Sequence, residues 1–166
     1  METDRATQCY LIDDKQDRVL FLHRNHEGDF HYGKYVGLGG HFELGETSEE
    51  CIKREVFEET GKGIKILKPS LRAILRFNNE GRTFHGKPAK KHFIVYTFIA
   101  RAYTGQIGEC DEGELVWVPK ERIYEQNLHE GDKMFLPKIF NGDATWDMTF
   151  KHKGDRISEY TAVKIR

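Results

Sequence analysis

The sequence predicts an α/β fold in which strands are layered with helices. One observation is a series of short segments in which apolar residues alternate or run together, as in half-buried or buried strands. The other is a helix-start signal before residues 48–60, where apolar residues recur every fourth position. At 166 residues the chain is expected to form a single domain, residues 1–166, with a core that buries about 70% of the unfolded surface.

The part of the chain before the helix predicts a hairpin and a third, short strand. The strands are expected at residues 6–12, 18–24 and 34–38. The first two are joined by a turn at Asp13-Asp14, whereas residues 26–33 are polar and contain glycine, which indicates a loop. The third strand leads into the glycine-rich run Gly37-Leu-Gly-Gly40.

The helix has clear signals at both ends. Thr47 and Glu50 match a capping box, in which each side chain accepts a hydrogen bond from a free backbone amide. The helix is therefore expected to begin near Ser48 and to end near Thr60, because Gly61 can take the left-handed conformation that terminates helices. An apolar stripe along it consists of Cys51, Ile52, Val56 and Thr60.

Further strands and two short helices are predicted after this helix. Strands are expected at residues 64–67, 73–77, 92–102 and 114–118, and helices at 120–126 and 131–140. A terminal hairpin is expected from residues 146–153 and 156–164, turning at Gly154-Asp155. Residues 78–91 contain four Lys or Arg residues and predict an exposed loop, either plainly solvated or positioned to help hold phosphates.

Composition favours a small acidic ligand over a polymer or a membrane. The net charge of −1 and a pI near 6.7 give no basic field of the kind that binds nucleic-acid polymers. No apolar run approaches the length of about 18 residues that a membrane span needs. The three cysteines lack CxxC spacing and no secretory segment is apparent, so the cytoplasm is the expected location, with the protein a monomer or a homodimer.

Three glutamates on the helix predict a metal site. Glu55, Glu58 and Glu59 stand at i, i+3 and i+4, so their carboxylates share one side of the helix and repel each other. A hard divalent cation such as Mg²⁺ prefers oxygen ligands and would offset this repulsion. The alternative is a solvated acidic face, but the nearby glycines, Gly39 and Gly40 among them, allow backbone to approach a ligand and favour the metal.

The same residues form a longer signature that resembles the Nudix box. It reads Gly40-x5-Glu46-x7-Arg54-Glu55-Val56-x-Glu58-Glu59-x-Gly61, and it departs from the family pattern at Lys62, where an apolar residue is usual. The resemblance implies a Nudix-type α/β/α sandwich with a mixed β-sheet and a hydrolase of nucleoside diphosphates linked to another moiety. It also implies that the Gly40 carbonyl and the carboxylates of Glu55, Glu58 and Glu59 bind one to three Mg²⁺ or Mn²⁺ ions, and that Arg54 orients a glutamate.

Three further segments resemble the MutT-type branch, which hydrolyses oxidised purine nucleoside triphosphates. They are Glu112-Gly-Glu-Leu-Val-Trp-Val-Pro119, His129-Glu-Gly-Asp132, and Phe150-Lys-His-Lys-Gly-Asp155. This resemblance implies that Glu112 is a general base or an additional metal ligand and that Arg24 contacts phosphate. His129 and Asp132 are implied to contact the base, although His129 stands where a tryptophan often stacks.

Two other positions bear on the substrate pocket. Val36 stands where some members of the family use an asparagine to recognise the base. Tyr35, together with Lys34 and Phe30, is a candidate for the entrance of the pocket, with packing in the loop and strand as the alternative. These departures leave the identity of the base open.

The function expected from the sequence is therefore attack of water at phosphorus in a nucleotide. Either Glu58 or Glu112 would remove the proton from the water. An oxidised purine triphosphate such as 8-oxo-dGTP would yield the monophosphate and pyrophosphate. The alternatives are another linked diphosphate (nucleotide sugar, alcohol or dinucleotide) or a non-catalytic nucleotide sensor. The sequence contains neither a phosphate-binding P-loop nor a Gly-x-Ser-x-Gly elbow.

Overall fold

The computed structural model describes residues Met1–Arg166 and has thirteen strands and two α-helices. The strands are β1 (Glu2–Asp13), β2 (Arg18–Arg24), β3 (Tyr35–Val36), β4 (Leu38–His41), β5 (Ile64–Leu67), β6 (Ser70–Asn78), β7 (Thr83–Phe84), β8 (Lys87–Pro88), β9 (Lys91–Ala100), β10 (Ala102–Gly105), β11 (Gly113–Pro119), β12 (Trp146–Lys153) and β13 (Arg156–Lys164). The helices are α1 (Ser48–Glu59) and α2 (Glu130–Phe140), and a 3-10 helix spans Lys120–Glu125. Neither α-helix has the length and apolarity needed to cross a bilayer.

One large mixed sheet organises the chain. Its strand order is β11-β2-β1-β9-β6-β12-β13, while β3 pairs with β2 and β4 pairs with β1. The pairs β1/β9 and β6/β12 are parallel, and the other pairs of this sheet are antiparallel. Two small ribbons, β5/β10 and β7/β8, complete the strands.

The two helices cover opposite faces of this sheet, as strand alternation requires. Along β1, Tyr10 and Ile12 belong to one core with residues of α2, whereas Cys9 and Leu11 belong to a second core with residues of α1. Successive side chains of a strand point to opposite faces, so one strand contributes to both cores. The predicted α/β/α sandwich with a mixed sheet is confirmed.

Helix α1 forms as its end signals predict. The Glu50 amide donates to Thr47 Oγ1 at 3.1 Å, and the Thr47 amide donates to Glu50 Oε1 at 3.3 Å. Past the last helical residue, Gly61 has a φ of +69°, the left-handed conformation expected at a helix end. The members of the predicted apolar stripe, Cys51, Ile52, Val56 and Thr60, are all fully buried.

The structure corrects the sequence prediction at three places. Strand β1 begins at Glu2, before the predicted start at residue 6, because its first residues pair with β9 in the register Glu2↔Lys91. The glycine-rich run includes a paired strand, β4, in the register Thr7↔Gly40. The predicted exposed loop 78–91 contains the β7/β8 ribbon, on which Arg82 and Phe84 are only partly exposed.

This ribbon is fastened to the turn between β12 and β13. The Thr83 amide donates to the Gly154 carbonyl at 2.9 Å, and the Gly154 amide donates to the Gly81 carbonyl at 3.0 Å. The Thr83 hydroxyl also donates to Asp155 Oδ1 at 2.5 Å. We call residues 79–90 the ribbon loop; these bonds hold its first half against the C-terminal hairpin, while the turn at residues 85–88 is exposed.

Candidate active site

A cavity of about 560 Å³ opens on the face of the molecule where β4 meets the ribbon loop. Two groups of residues line it. The first group is charged or glycine and consists of Arg24, Gly39, Gly40 and Glu112; the second is mainly aromatic and includes Phe30, His31, Phe77, Arg82, Phe84, His129, Asp132 and His152. The cavity therefore joins a polar region to an aromatic one, the arrangement that a ligand with a charged part and a flat part requires.

Glu59 and Glu112 come together beside the charged part of the cavity. Glu59 is buried, at 8% exposure, and its Oε1 accepts a 2.5 Å hydrogen bond from the Gly39 amide. The potential ligand atoms of Glu59, Cys110 and Glu112 all lie within 4.8 Å of one another. Strand β4, the end of α1 and the loop before β11 thus each contribute to one small volume.

Burial and like charge disfavour ionised carboxylates in this cluster. Burial and the neighbouring Glu112 raise the pKa of Glu59 to about 9, and burial also raises the pKa of Glu55. A bound cation would favour the ionised forms of both carboxyl groups. The donor set is mostly carboxylate oxygen, which suits Mg²⁺ or Mn²⁺, so the residues present fit a divalent metal.

Gly40 lets Glu55 lie directly against the backbone of β4. A Cβ atom built on Gly40 would be 2.5 Å from Cδ of Glu55, well inside contact distance. The Gly40 carbonyl accepts two long side-chain hydrogen bonds, from the Thr7 hydroxyl at 3.4 Å and from Cys51 Sγ at 3.8 Å. The Glu55 carboxylate therefore lies against Gly40, and the metal-binding roles of both residues stay predictions.

Arg54 organises the acidic residues around the start and middle of α1. Its Nε donates to Glu46 Oε1 at 2.5 Å and its Nη2 to Glu46 Oε2 at 3.0 Å, which is a two-pronged pair. Its Nη1 donates to Glu55 Oε1 at 2.9 Å. The bonds from Arg54 lower the pKa of Glu46 to about 2, so Glu46 stays ionised and Arg54 stays in place.

The two candidates for the general base differ in position. Glu112 lines the cavity and its side chain is 51% exposed. Glu58 is similarly exposed, at 52%, but it is not part of the cavity wall, and its Oε2 accepts from Arg54 Nη1 at 3.3 Å. The exposed Glu58 carboxylate is thus held on the Arg54 side of α1, away from the aromatic part of the cavity.

Arg24 connects the charged part of the cavity with the loop that follows β2. Its Nη1 lies 3.5 Å from Glu112 Oε2, and its Nε donates to Asp29 Oδ2 at 2.6 Å. Asp29 in turn accepts from the amide of His31 at 3.1 Å. A continuous series of contacts therefore connects Glu112 with His31, which lies in the aromatic part of the cavity.

The aromatic part of the cavity contains a histidine pair beside two phenylalanines. The Phe30 ring centroid lies 3.8 Å from that of Phe84 and 5.5 Å from that of His129. Nδ1 of His31 is 2.7 Å from Nε2 of His129. Burial lowers the pKa of His31 to about 4 and of His129 to about 3, so both rings are neutral at pH 7.

Asp132 stands at the start of α2 and also faces the cavity. Burial raises its pKa to about 7. A carboxyl group near its midpoint at neutral pH can either donate or accept a hydrogen bond. Of the predicted substrate residues, Arg24, Gly39, Gly40, His129 and Asp132 all line the one cavity.

Tyr35 lies outside this cavity wall. It is the cross-strand partner of His23 in the β2/β3 pair, and the two rings stack with centroids 4.3 Å apart. Lys34 is likewise engaged elsewhere, since its Nζ donates to Asn127 Oδ1 at 3.0 Å. Of the three residues considered for the entrance, only Phe30 lines the cavity.

The sequence analysis did not identify several residues of the wall. They are His31, Phe77, Arg82, Phe84 and His152. Arg82 and Phe84 alternate along the ribbon loop, and this spacing of two was the local signal for a short strand with one protected face. His152 lies within the segment Phe150-Lys-His-Lys-Gly-Asp155 that resembles the MutT-type branch, but its contact with the cavity depends on how the C-terminal hairpin packs.

Comparisons with known proteins bear on this site. A family model described as the NUDIX domain matches residues 2–139. An uncharacterized Nudix hydrolase of Bacillus subtilis, YvcI, is 32% identical over 149 residues, which cover 89% of this chain and 86% of that protein. The oxidized purine nucleoside triphosphate hydrolase of Danio rerio is 28% identical over 138 residues, covering 78% and 83% of the two chains.

A solved structure agrees over nearly the whole chain. The crystal structure of a mutator MutT protein from Bacillus halodurans superposes with a TM-score of 0.79 at 29% identity. The superposition covers 96% of this chain and 97% of that one. The likeness therefore extends beyond the helix with its glutamates to the sheet and the C-terminal hairpin.

Proposed function

The chain belongs to the Nudix hydrolase family, enzymes that act on pyrophosphate bonds, and from this premise we propose that it cleaves purine nucleoside triphosphates. Oxidised purines such as 8-oxo-dGTP are the leading substrates, and the products are the monophosphate and pyrophosphate. The protein would work in the cytoplasm, as a single domain and as a monomer or homodimer, on small nucleotides and not on nucleic-acid polymers.

The cavity is the observation that carries this proposal. Its charged part adjoins the carboxylates of Glu59 and Glu112, and its aromatic part is built by Phe30, Phe84 and His129. A nucleotide has the same division, since its phosphates are charged and its base is flat and apolar on both faces. Stacking on aromatic rings is a common way for proteins to bind a base.

The nature of the metal also belongs to the proposal. The Gly40 carbonyl and the carboxylates of Glu55, Glu58, Glu59 and Glu112 would hold one to three Mg²⁺ or Mn²⁺ ions. When bound, such ions polarise phosphate oxygens and lower the pKa of a coordinated water. The raised pKa values of Glu55 and Glu59 support this assignment, because a bound cation would stabilise the ionised forms that burial and like charge disfavour.

The residues of the site would have different roles in the reaction. Glu112, on the cavity wall, accepts the proton of the attacking water, and Glu58 is the alternative base. Arg24, next to Glu112, donates hydrogen bonds to phosphate oxygens. Arg54 does not touch substrate in this scheme; it positions Glu46 and Glu55 through the bonds described above.

The base would be held between the aromatic residues and Asp132. Phe30 and His129 have nearly parallel rings, 25° apart, which offer a stacking surface. Asp132, with its pKa near 7, can pair with a donor or an acceptor on the edge of a purine. The name of the Danio rerio relative, an oxidized purine nucleoside triphosphate hydrolase, supports this choice of substrate.

The test is a substrate panel with a direct readout of both phosphate products. Release of pyrophosphate and of inorganic phosphate is measured with Mg²⁺ and with EDTA, for normal and oxidised nucleoside triphosphates, nucleotide sugars and dinucleotides. A metal-dependent preference for an oxidised purine triphosphate, with pyrophosphate as product, is expected. Activity on another linked diphosphate alone would replace the substrate, and inactivity on every compound would favour a nucleotide sensor.

A further inference from the structure

Two buried nitrogen atoms on the cavity wall have no hydrogen-bond partner within the protein. They are Nε of Arg82 and Nδ1 of His152, and both residues line the cavity. Arg82 comes from the ribbon loop and His152 from β12, so two elements far apart in the chain bring these atoms to one wall. Buried polar atoms in proteins are nearly always partnered, and a ligand in the cavity would explain two orphans in residues of its wall.

Arg82 is held in a fixed position by aromatic contacts. Its guanidinium lies over the Phe84 ring at 4.4 Å from the centroid, and Phe77 and Phe30 are at 5.8 and 5.9 Å. Its Nη1 donates to Asn79 Oδ1 at 3.0 Å. The backbone bonds between Thr83 and Gly154 keep the ribbon loop in place, so the orphan donor is oriented before any ligand arrives.

The surroundings of Arg82 are suited to a flat ligand group. Three phenylalanine rings lie around the guanidinium, and the carboxylate of Asp155, also on the cavity wall, stabilises its charge. Glu112, which the proposed function assigns to metal and proton transfer, belongs to the other group of cavity residues. A guanidinium has donors and no acceptor, so a flat group placed among these rings would meet Arg82 through an acceptor atom.

We propose that Arg82 reads the nucleobase by donating a hydrogen bond to a carbonyl oxygen on its edge, with His152 as a second contact. This proposal rests on the proposed function and specifies its substrate class as purines with an oxygen at C6. Guanine and its oxidised or deaminated forms present that acceptor, whereas adenine presents an amino donor at the same position. Arginine paired with the guanine edge is a common specific contact in nucleic-acid recognition.

His152 suits a secondary role. It is buried, at 8% exposure, and burial lowers its pKa to about 4, so the ring is neutral at pH 7. A neutral imidazole has one donor and one acceptor nitrogen. Nδ1 of His152 can therefore pair with either kind of atom on the base edge, while Arg82, as a donor only, sets the preference for oxygen.

Binding of nucleoside monophosphates tests this inference without turnover. The dissociation constants of inosine 5′-monophosphate and of purine riboside 5′-monophosphate, which has hydrogen in place of the C6 oxygen, are measured by calorimetry. The wild-type protein should bind the inosine compound about tenfold or more tightly, as expected for a hydrogen bond from a charged donor. In Arg82→Met the ratio of the two dissociation constants should fall to about one. The dissociation constant of the purine riboside compound should change little.

A matched control separates base reading from loss of charge or of structure. Lys87→Met removes a positive charge from the exposed side of the same ribbon and should keep the wild-type ratio. Arg82→Lys keeps the charge but not the planar guanidinium, and its ratio of dissociation constants should be much closer to one than that of the wild type. If Arg82→Met does not fold, Arg82→Lys alone tests the contact with the base. A wild-type ratio near one, or a full ratio in either Arg82 variant, overturns the inference.

The hydrolysis panel keeps the two proposals distinguishable. Metal-dependent cleavage of nucleotides with no preference among bases would leave the proposed chemistry standing and overturn the role of Arg82. Discrimination in binding with no cleavage of any compound would support the role of Arg82 and contradict the proposed hydrolysis.

Discussion

His31 and His129 form a close pair in which Nδ1 of one ring lies 2.7 Å from Nε2 of the other. A single N–H satisfies both nitrogen atoms when the rings are neutral, and a second proton would place two donors face to face. Burial is the main reason why both pKa values lie far below the ordinary value for histidine, and for His129 the neighbouring His31 lowers the pKa further.

We expect this pair to make the protein sensitive to mild acid. Between pH 6.5 and about 4 the unfolded chain binds protons that the folded pair excludes, so stability falls as pH decreases. The slope is about 1.4 kcal/mol per pH unit for each excluded proton. His129→Phe should flatten the denaturation profile in this range, and His85→Asn, on the exposed ribbon turn, should leave it unchanged. Equal slopes in all three proteins would contradict the expectation.

Glu59 should give the metal-free protein the opposite dependence at higher pH. Its pKa is raised to about 9, so the folded state keeps a proton that the unfolded state releases above its ordinary pKa of 4.5. Stability therefore falls as pH rises from 6 to 9. Melting temperatures in EDTA should decline over this range less steeply in Glu59→Gln. Added Mg²⁺ should stabilise the wild type more at pH 8.5 than at pH 6.5, and a reversed order would count against the metal assignment.

Gly40→Ala should remove metal-dependent activity while the sheet still forms. The new methyl group would overlap the Glu55 carboxylate, which must move from its present position. We expect hydrolysis to fall by at least about tenfold, since displaced catalytic groups commonly cost that much. Gly28→Ala is the control: its Cβ has open space, and only its φ of +84° costs stability, about 1 kcal/mol. Full activity in Gly40→Ala would refute the predicted role of Glu55.

Arg54→Lys should lower activity although the charge is retained. Lysine cannot make the paired bonds to both oxygens of Glu46 while also reaching Glu55. Loss of these charged bonds should also destabilise the fold by about 1–2 kcal/mol in denaturant titrations. Lys53→Arg, at the exposed neighbour that pairs with Glu49, should be neutral in both measurements. A fully active Arg54→Lys would show that the paired geometry is not required.

Two conservative substitutions distinguish the candidate bases. Glu112→Gln should lower kcat far more than it changes KM, because Glu112 faces the cavity and its carboxylate would take the proton. Glu58→Gln should instead raise the Mg²⁺ concentration needed for half-maximal rate, because it exchanges a charged metal ligand for a neutral amide. Saturating Mg²⁺ should therefore rescue Glu58→Gln more than Glu112→Gln. Rescue of Glu112→Gln alone would exchange the two roles.

The sequence predicted features that depend on neighbours along the chain. The capping box at Thr47 and Glu50, the glycine at the end of α1 and the buried stripe are all local patterns, and each is present in the structure. The terminal hairpin was predicted with its turn for the same reason. The signature in α1 also identified the family that the comparisons confirm.

Features that depend on packing between distant segments were missed. Tyr35 was a candidate for the entrance, but its pairing register places it directly opposite His23, where it stacks away from the cavity. Arg82 and His152 are separated by about seventy residues and meet at the wall only because the ribbon loop docks on the C-terminal hairpin. No periodicity within either segment encodes that contact.

The bonds between Thr83, Gly154 and Asp155 make two surface hairpins into one structural unit. Neither hairpin contributes a residue to the carboxylate cluster on α1, so this unit can be replaced without altering the groups proposed for catalysis. Replacement of one hairpin alone would break the backbone pairing between them. Substrate preference in this scaffold should therefore evolve, or be engineered, by paired exchange of the ribbon loop and the β12/β13 turn.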